Sequence, residues 1–287
     1  MKNTLIVLLL ATTSVLMAGT KGIKVIYGED NRVDVMDSTN NMFVELSQST
    51  AAMIPSSDLR AQTNGEVQIR SKTLQSSMRV CSTERFANQP TAANCSGFLV
   101  GENLLVTAGH CIRSQRDCSS NDWVFDYKLE SKNQSGISVD KNSVYKCKRI
   151  ISQKLSNWDK DDYALIELDR KVTDRRVLDF RRKGKVAKGA DLVVIGHPSG
   201  LPTKIADGAK VRSLKGKFFV ANLDTYGGNS GSAVFDANTG VIEGILVRGE
   251  TDYISRGGCR VSNEVSDDAG RGEDVTYILN IPELSNL

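Results

Sequence analysis

The sequence predicts an all-β protein, either a β-sandwich or a β-barrel. From residue 97 onward, short apolar and β-branched runs recur with turn residues between them, and no long helix-period pattern intervenes. A possible helix is predicted earlier, over residues 41–52. The predicted strands span residues 97–107, 124–129, 143–151, 163–168, 191–195, 217–221, 232–235, 240–247 and 275–279.

Length and composition are those of an ordinary globular protein. The chain has 287 residues, of which 40% are hydrophobic and 25% charged. A chain of this length buries enough apolar surface to fold without a metal or a partner. The formal net charge of +3 is small and does not indicate nucleic-acid binding.

The N-terminus has the features of a signal peptide, predicted over residues 1–18. Lys2 precedes an apolar run that ends at Met17, and the small residues Ala18 and Gly19 follow it. The run is short and interrupted by Thr and Ser, so a transmembrane span is not expected. We therefore expect a secreted or periplasmic protein without stable membrane association.

Six cysteines follow the predicted signal peptide, an even number that indicates disulfides in an exported chain. They allow 15 pairings, and spacing alone does not select among these. The sequence has two histidines and no CxxC spacing, so no metal site is expected. The candidate disulfide cysteines are Cys81, Cys95, Cys111, Cys118, Cys147 and Cys259.

Residues 170–189 form the most basic segment of the chain. Phe180 is its only aromatic residue, whereas nucleic-acid sites interleave aromatic and basic side chains. We interpret the segment as a solvated connector between two halves of the fold.

Three short motifs carry the candidate chemistry. His110 follows a strand in VTAGHC (106–111), Asp162 begins the apolar run DYALIEL (162–168), and Ser230 lies in the glycine-rich turn GGNSGSAVF (227–235). Each motif alone has a structural explanation. Together, in the order His, Asp, Ser, they predict nucleophilic catalysis by a Ser-His-Asp triad.

The role of each residue follows from the weak nucleophilicity of a serine hydroxyl. His110 would accept the proton of Ser230 and return it to the leaving amine, while Asp162 would hold the imidazole. The backbone N–H groups of Gly228 and Ser230 are the expected oxyanion hole. The predicted reaction is peptide-bond hydrolysis through an acyl-enzyme intermediate, without a cofactor.

These motifs resemble those of chymotrypsin-like serine peptidases, and more narrowly the bacterial glutamyl-endopeptidase branch. Residues 194–198 and 224–232 are similar to segments of that branch, and residues 25–32 to its mature N-terminus. The resemblance implies two packed six-stranded antiparallel β-barrels with the site in the cleft between them. It also implies a protease domain over 25–287, a short propeptide over 19–24 and cleavage after Lys24.

The resemblance also suggests disulfide partners and one departure from trypsin. Cys95–Cys111 corresponds to the family's histidine-loop disulfide, Cys118–Cys147 is a further candidate, and Cys81–Cys259 is the remaining pair. Asn229 stands where trypsin has an aspartate that binds the new N-terminal ammonium, so this ion pair cannot form here.

The candidate substrate pocket comprises Asp224, Thr225, Leu246 and Arg248. Leu246 stands where glutamate-selecting members carry a histidine, whereas Asp224 stands where trypsin keeps its charge for Arg or Lys. Arg248 would instead attract acidic side chains. These indications disagree, and the sequence assigns no preference. His197 is expected to be structural or at the rim of the pocket.

Two other functions compete with a secreted endopeptidase acting on protein or peptide substrates. A catalytically silent binding module on a protease fold would usually lack a triad member or an oxyanion glycine, and this sequence retains them. An HtrA-like protease would carry a C-terminal peptide-binding domain and would not be expected to have six cysteines. A monomer is expected, with no nucleic-acid partner.

Overall fold

The computed structural model describes residues 26–287, in which β-strands predominate. The predicted signal peptide, the predicted propeptide and Val25 lie outside the described residues. The strands are β1 Ile26–Tyr27, β2 Arg32–Asp34, β3 Thr50–Pro55, β4 Leu59–Ala61, β5 Glu66–Ile69, β6 Lys72–Thr73, β7 Pro90–Thr91, β8 Cys95–Gly101, β9 Leu104–Thr107, β10 Asn121–Val124, β11 Ile137–Asp140, β12 Val144–Leu155, β13 Asp162–Leu168, β14 Asp191–Gly196, β15 Lys204–Leu214, β16 Phe218–Ala221, β17 Ala233–Asp236, β18 Ile242–Arg248, β19 Tyr253–Arg256, β20 Cys259–Ser262, β21 Glu264–Val265 and β22 Glu273–Tyr277.

Helices are short throughout the described residues. The α-helices are α1 Asn41–Ser47, α2 Leu74–Met78 and α3 Gln115–Ser120. Short 3-10 turns occur at Val35–Asp37, Ser56–Asp58, Lys141–Ser143, Pro198–Gly200, Ile278–Asn280 and Pro282–Asn286. Within residues 26–287, no helix has the length and apolar character that crossing a bilayer requires.

The first half of the chain closes into a six-stranded antiparallel barrel. Its strands follow one another around the barrel in the order β10, β12, β13, β9, β8, β3. Phe98, Leu105, Trp123 and Ile166 are buried in its core. Closure leaves none of these six strands with a free edge, which is how barrels avoid unpaired backbone groups.

The second half closes in the same way. The sheet runs β14, β17, β18, β22, β16, β15, pairing of β14 with β15 completes the ring, and β2 adds to the outside of β15. Leu192 and Val194 of β14 point into this barrel, whereas Val193 and Ile195 join the core cluster of the first. Alternate side chains of β14 thus fill the core of the second barrel and pack against the first barrel. The prediction of two packed six-stranded barrels is confirmed.

The basic segment 170–189 contains no helix or strand and leads from the first barrel to the second. Arg175 is buried against Asp126 and Asp174, and Arg181 pairs with the buried Glu243. Two of its charges are therefore neutralised within the protein, while most of the segment is exposed.

Three disulfides link the six cysteines as the preferred pairs predict: Cys95–Cys111, Cys118–Cys147 and Cys81–Cys259. The first two lie within the N-terminal half. The third joins residues separated by 178 positions, one before and one after the connector. It is the disulfide that ties the two halves together.

Most predicted strands are present with shifted ends, but two of these predictions are wrong. Residues 97–107 form two paired strands, β8 and β9, and β10 ends at Val124, so residues 125–129 are not a strand.

Two further elements also differ from expectation. The predicted helix 41–52 ends at Ser47, and the chain then enters β3, which pairs with β8 and β10. The Asn40 side chain caps the start of that helix. β15 was not predicted, because its polar residues and Gly208 hide the strand pattern.

Candidate active site

His110 and Asp162 lie at the ends of two paired strands in the first barrel. β9 pairs with β13 so that Thr107 faces Ala164, which brings the turn after β9 to the start of β13. The His110 backbone N–H donates to Asp162 Oδ1 at 3.1 Å, and His110 Nδ1 lies 2.9 Å from Asp162 Oδ2. Both contacts orient the imidazole.

The turn that presents His110 requires a glycine. A Cβ at Gly109 would collide with the backbone carbonyl oxygens of Lys154 and Tyr163. The tight approach of the His110 turn to β12 and β13 therefore depends on the missing side chain.

Asp162 is shielded from water, whereas His110 is not. Their side chains are 2% and 25% exposed. The Asp162 carboxylate also lies 3.3 Å from Nη1 of Arg248, whose Nε contacts Asp274 at 3.2 Å. The sequence did not reveal this contact, since Arg248 and Asp162 come from different barrels.

Ser230 lies in the turn before β17 of the second barrel, and the turn is fixed from both sides. The Ser230 carbonyl accepts from the Ser96 N–H at 2.8 Å, and the Gly231 N–H donates to the Leu246 carbonyl at 2.7 Å. Within residues 26–287, the Ser230 hydroxyl forms no hydrogen bond, so the bond to His110 expected from the sequence is not formed here. Cys111, which follows His110 and forms a disulfide with Cys95, lies close to Ser230. Its Sγ is 3.7 Å from the Ser230 carbonyl oxygen.

The backbone N–H groups of Gly228 and Ser230 are the oxyanion hole expected from the sequence. Among the hydrogen bonds of the described residues, neither group is a donor. Gly228 has a φ of +94°, and a Cβ there would strike the His197 carbonyl oxygen. Both the positive φ and the close approach to His197 therefore require glycine at this position.

Behind this turn lies a buried polar network that the sequence did not predict. Ser96 Oγ donates to the Gly228 carbonyl at 2.9 Å and lies 3.0 Å from His197 Nδ1. His197 Nε2 lies 3.1 Å from Thr203 Oγ1. Complete burial lowers the pKa of His197 to about 3, so the ring stays neutral and structural, as expected.

Residues 95–245, more than half of the chain, match the family model of the trypsin-like peptidase domain. The chain belongs to the trypsin-like peptidase family. It is by class a serine endopeptidase, and the matched segment contains all three candidate catalytic residues.

Solved structures with this fold include other proteases. A Glu endopeptidase in complex with MPD has a TM-score of 0.54 at 17% identity, covering 91% of this peptidase and 98% of that chain. The Vibrio cholerae VesB protease has a TM-score of 0.53 at 15% identity, covering 91% and 66% of the two chains. The active form of an M. tuberculosis protease has a TM-score of 0.50 at 14% identity, covering 92% and 89%. At these identities the likeness concerns the fold.

A cavity of about 140 Å³ opens beside Ser230 of this peptidase. Three of the four candidate pocket residues, Thr225, Leu246 and Arg248, line it. The other lining residues are Tyr226, Gly227, Val247, Gly249, Glu250, Asp252 and Glu273.

Asp224, the fourth predicted pocket residue, does not line this cavity. Its carboxylate accepts from the backbone N–H of Tyr27 at 2.8 Å and of Asn31 at 3.0 Å. Burial raises the pKa of Asp224 to about 7. The carboxylate turns away from the pocket because the N-terminal segment offers it two donors.

Glu273 is the acidic residue that the sequence missed. It begins β22, is 3% exposed and accepts from Thr225 Oγ1 at 2.8 Å. Burial raises the pKa of Glu273 to about 8. No motif indicated it, since its position depends on the pairing of β22 with β18 rather than on neighbouring residues.

One cluster of metal-ligand types lies near the site. The ligating atoms of Cys95, His110 and Cys111 are within 4.8 Å of one another. The two cysteines share a disulfide, so neither provides the thiolate that a metal would bind.

Proposed function

We propose that this peptidase is secreted and hydrolyses peptide bonds with Ser230 as nucleophile, His110 as general base and acid, and Asp162 as the residue that orients His110. The observation that carries the proposal is the pair of contacts from His110 to the buried carboxylate of Asp162. Protein or peptide substrates are proposed, with a monomeric enzyme and no nucleic-acid partner.

In the first step, Ser230 Oγ attacks the carbonyl carbon of the scissile bond. His110 Nε2 accepts the hydroxyl proton as the new C–O bond forms. Asp162 accepts the Nδ1 proton in a hydrogen bond, which selects the tautomer with a free Nε2 and stabilises the imidazolium that results.

The attack places a negative charge on the former carbonyl oxygen, and this charge must be stabilised. The N–H groups of Gly228 and Ser230, unpaired among the described residues, are proposed to donate to it. His110 then gives its proton to the leaving amine, the C–N bond breaks, and an acyl-enzyme remains. Water attacks this ester by the same route, with His110 as base, and releases the acid product.

Export from the cytoplasm is supported by the three disulfides, which form in oxidising compartments. We also propose removal of residues 1–18 as a signal peptide and of 19–24 as a propeptide. Ile26 and Gly28 are bonded through their N–H groups to Asn263 and Val265, so the chain is integral to the domain from its first described residue. N-terminal sequencing of the secreted protein is expected to begin at Val25; a start at Gly19 or near Arg60 would contradict this.

A fluorophosphonate probe tests the catalytic proposal, because it reacts only with an activated serine. We expect labelling of the wild type and of Ser138→Ala, an exposed serine on β11, and none of Ser230→Ala. A folded wild type that stays unlabelled, and that cleaves no peptide in a mixed library, would favour the catalytically silent binding module instead.

A further inference from the structure

The cavity beside Ser230 contains a buried carboxylate without a cationic partner. Glu273 lines the cavity at 3% exposure, and its oxygens accept only from the Thr225 hydroxyl at 2.8 Å and the Glu250 N–H at 3.3 Å within the described residues. An ionised carboxylate has about four acceptor positions, so part of its capacity is unused.

The next residue on the same strand shows the contrast. Asp274 is equally buried but contacts the guanidinium groups of both Arg248 and Arg271. Successive side chains of a strand point to opposite faces, so these cations neutralise Asp274 and leave Glu273 facing the cavity. Among residues 26–287, no ion pair includes Glu273.

The other charges around the cavity do not offset Glu273. Glu250 and Asp252 also line it, and the Asp252 carboxylate accepts from the Gly227 N–H at 2.8 Å. The one lining cation, Arg248, is held against Asp162 and Asp274. The cavity therefore presents acidic side chains, without an unpaired cation among its lining residues, to an entering side chain. A cation bound there would favour the ionised form of Glu273, whose pKa burial raises.

The absence of a side chain at Gly249 provides the space that the Glu273 carboxylate occupies. A Cβ at Gly249 would collide with Glu273 Oε2, so the glycine allows the carboxylate to lie directly under the backbone of the cavity wall. Any larger residue at 249 would displace it.

We propose that Glu273 is the specificity-determining residue of this peptidase and that it selects lysine or arginine as the residue whose carbonyl group Ser230 attacks. The inference rests on the proposed catalytic role of Ser230. A cationic side chain in the cavity supplies the opposite charge that Glu273 lacks, and a charge-assisted hydrogen bond in a buried site is strong. Asp224 has no part in this selection, since its carboxylate is bound to the N-terminal segment.

The test compares fluorogenic peptides that differ only at the residue before the scissile bond: Lys, Arg, Ala, Leu or Glu. For the wild type we expect the highest kcat/KM with Lys and Arg. In Glu273→Gln, which keeps the shape of the side chain, the preference for Lys over Ala should fall by about 30-fold or more, because one partner of a buried charge pair is gone. In the matched control Glu264→Gln, an exposed residue of β21 that does not line the cavity, the same ratio should not change.

Two outcomes overturn the proposal. A wild type that prefers Ala, Leu or Glu would contradict a cationic substrate residue. If Glu273 only fills the cavity, Glu273→Gln would leave the Lys-to-Ala ratio unchanged and Glu273→Ala would mainly speed cleavage after Leu.

Fluorophosphonate labelling of each variant separates this inference from the proposed function. Labelled enzyme without the Lys and Arg preference refutes the role of Glu273 and leaves the triad intact. Wild type that neither labels nor cleaves refutes the triad. Labelling at the wild-type rate also shows that Glu273→Gln is folded.

Discussion

Three buried carboxylates near the cleft have different tasks because they have different partners. Asp162 accepts from both N–H groups of His110, and Asp224 from two backbone N–H groups of the N-terminal segment. Glu273 accepts from the Thr225 hydroxyl and one backbone N–H, and it faces a cavity. At the residue scale, the direction of each side chain decides its chemistry.

Asp162→Asn tests the orientation of His110. An amide can donate to Nδ1 and thereby favour the tautomer that cannot accept the Ser230 proton, so we expect kcat to fall by about 10⁴-fold. Steady-state kinetics near neutral pH measure this. A loss below about tenfold would show that Asp162 is not the orienting residue.

Ser96→Ala tests the hydrogen-bond network that holds the Gly228 peptide, whose N–H is a proposed oxyanion donor. Ser96 Oγ donates to the Gly228 carbonyl, so its loss leaves that peptide less firmly oriented. We expect kcat to fall by about tenfold, less than the ~10²–10³ cost of losing an oxyanion donor, with little change in KM. A rise in KM at constant kcat would assign Ser96 to substrate binding instead.

The candidate catalytic motifs can be found in the sequence because each combines neighbouring residues, such as Gly109 with His110 or Gly228 with Ser230. The buried acid of the cavity, Glu273, could not be predicted in this way. Asp224 and Glu273 are equally acidic in sequence, and only the pairing of distant segments turns one towards Tyr27 and the other into the cavity. The contact of Arg248 with Asp162 was hidden for the same reason.

At the element scale, the segment before β2 acts as a support for the pocket wall. Asp224 binds the N–H groups of Tyr27 and Asn31, and the Tyr27 hydroxyl accepts from the Gly272 N–H at 3.0 Å, one residue before Glu273. Strand β1 and the loop after it thus contact the residues that precede Thr225 and Glu273 of the cavity wall, and Asp224 adds two hydrogen bonds to the backbone bonds of β1 with Asn263 and Val265.

This anchoring predicts a pH-dependent stability. The folded pKa of Asp224 is about 7 and its ordinary value is 3.8, so between these values the folded protein holds a proton that the unfolded chain has released. The contribution of Asp224 to the free energy of unfolding therefore falls as pH rises from about 4 to about 7.

Urea unfolding of the wild type and Asp224→Asn at pH 4.5, 6 and 7.5 measures the effect. Because asparagine does not titrate, the stability of the wild type relative to the variant should decrease across this range. A difference that stays constant with pH would contradict the raised pKa.

Element boundaries were predictable where strands are apolar and uninterrupted, as in β13 and β14. The sequence predicts residues 50–52 of β3 as the end of a helix, because Thr-Ala-Ala suits a helix locally and becomes a strand only through its pairing with β8 and β10. β15 carries polar residues at many positions, and its long pairings within the second barrel decide its conformation.

At the scale of the whole molecule, two closed barrels are joined by one connector and one disulfide. The apolar residues of β14 that face outwards pack against the first barrel, so an apolar contact joins the barrel that carries His110 to the barrel that carries Ser230. Cys81–Cys259 adds a covalent tie between segments that lie on opposite sides of the connector.

The disulfides predict unequal effects on stability. Removing Cys81–Cys259 with the double variant Cys81→Ser/Cys259→Ser should lower the free energy of unfolding by about 2–4 kcal/mol. Its loop spans 178 residues against 29 for Cys118–Cys147, so the loss should exceed that of Cys118→Ser/Cys147→Ser by about 1–2 kcal/mol. Urea unfolding compares the two variants. A larger loss from the shorter loop would show that native-state strain outweighs chain entropy.

The position of Cys81–Cys259 also determines what a break in the connector would produce. Arg182, Lys183 and Lys185 are exposed there, where a protease that cuts after basic residues could cleave the chain. Because both other disulfides lie on the same side of the break, the nicked product would be a two-chain protein held by a single sulfur bridge. It would migrate as one species on a non-reducing gel and separate into two fragments only after reduction.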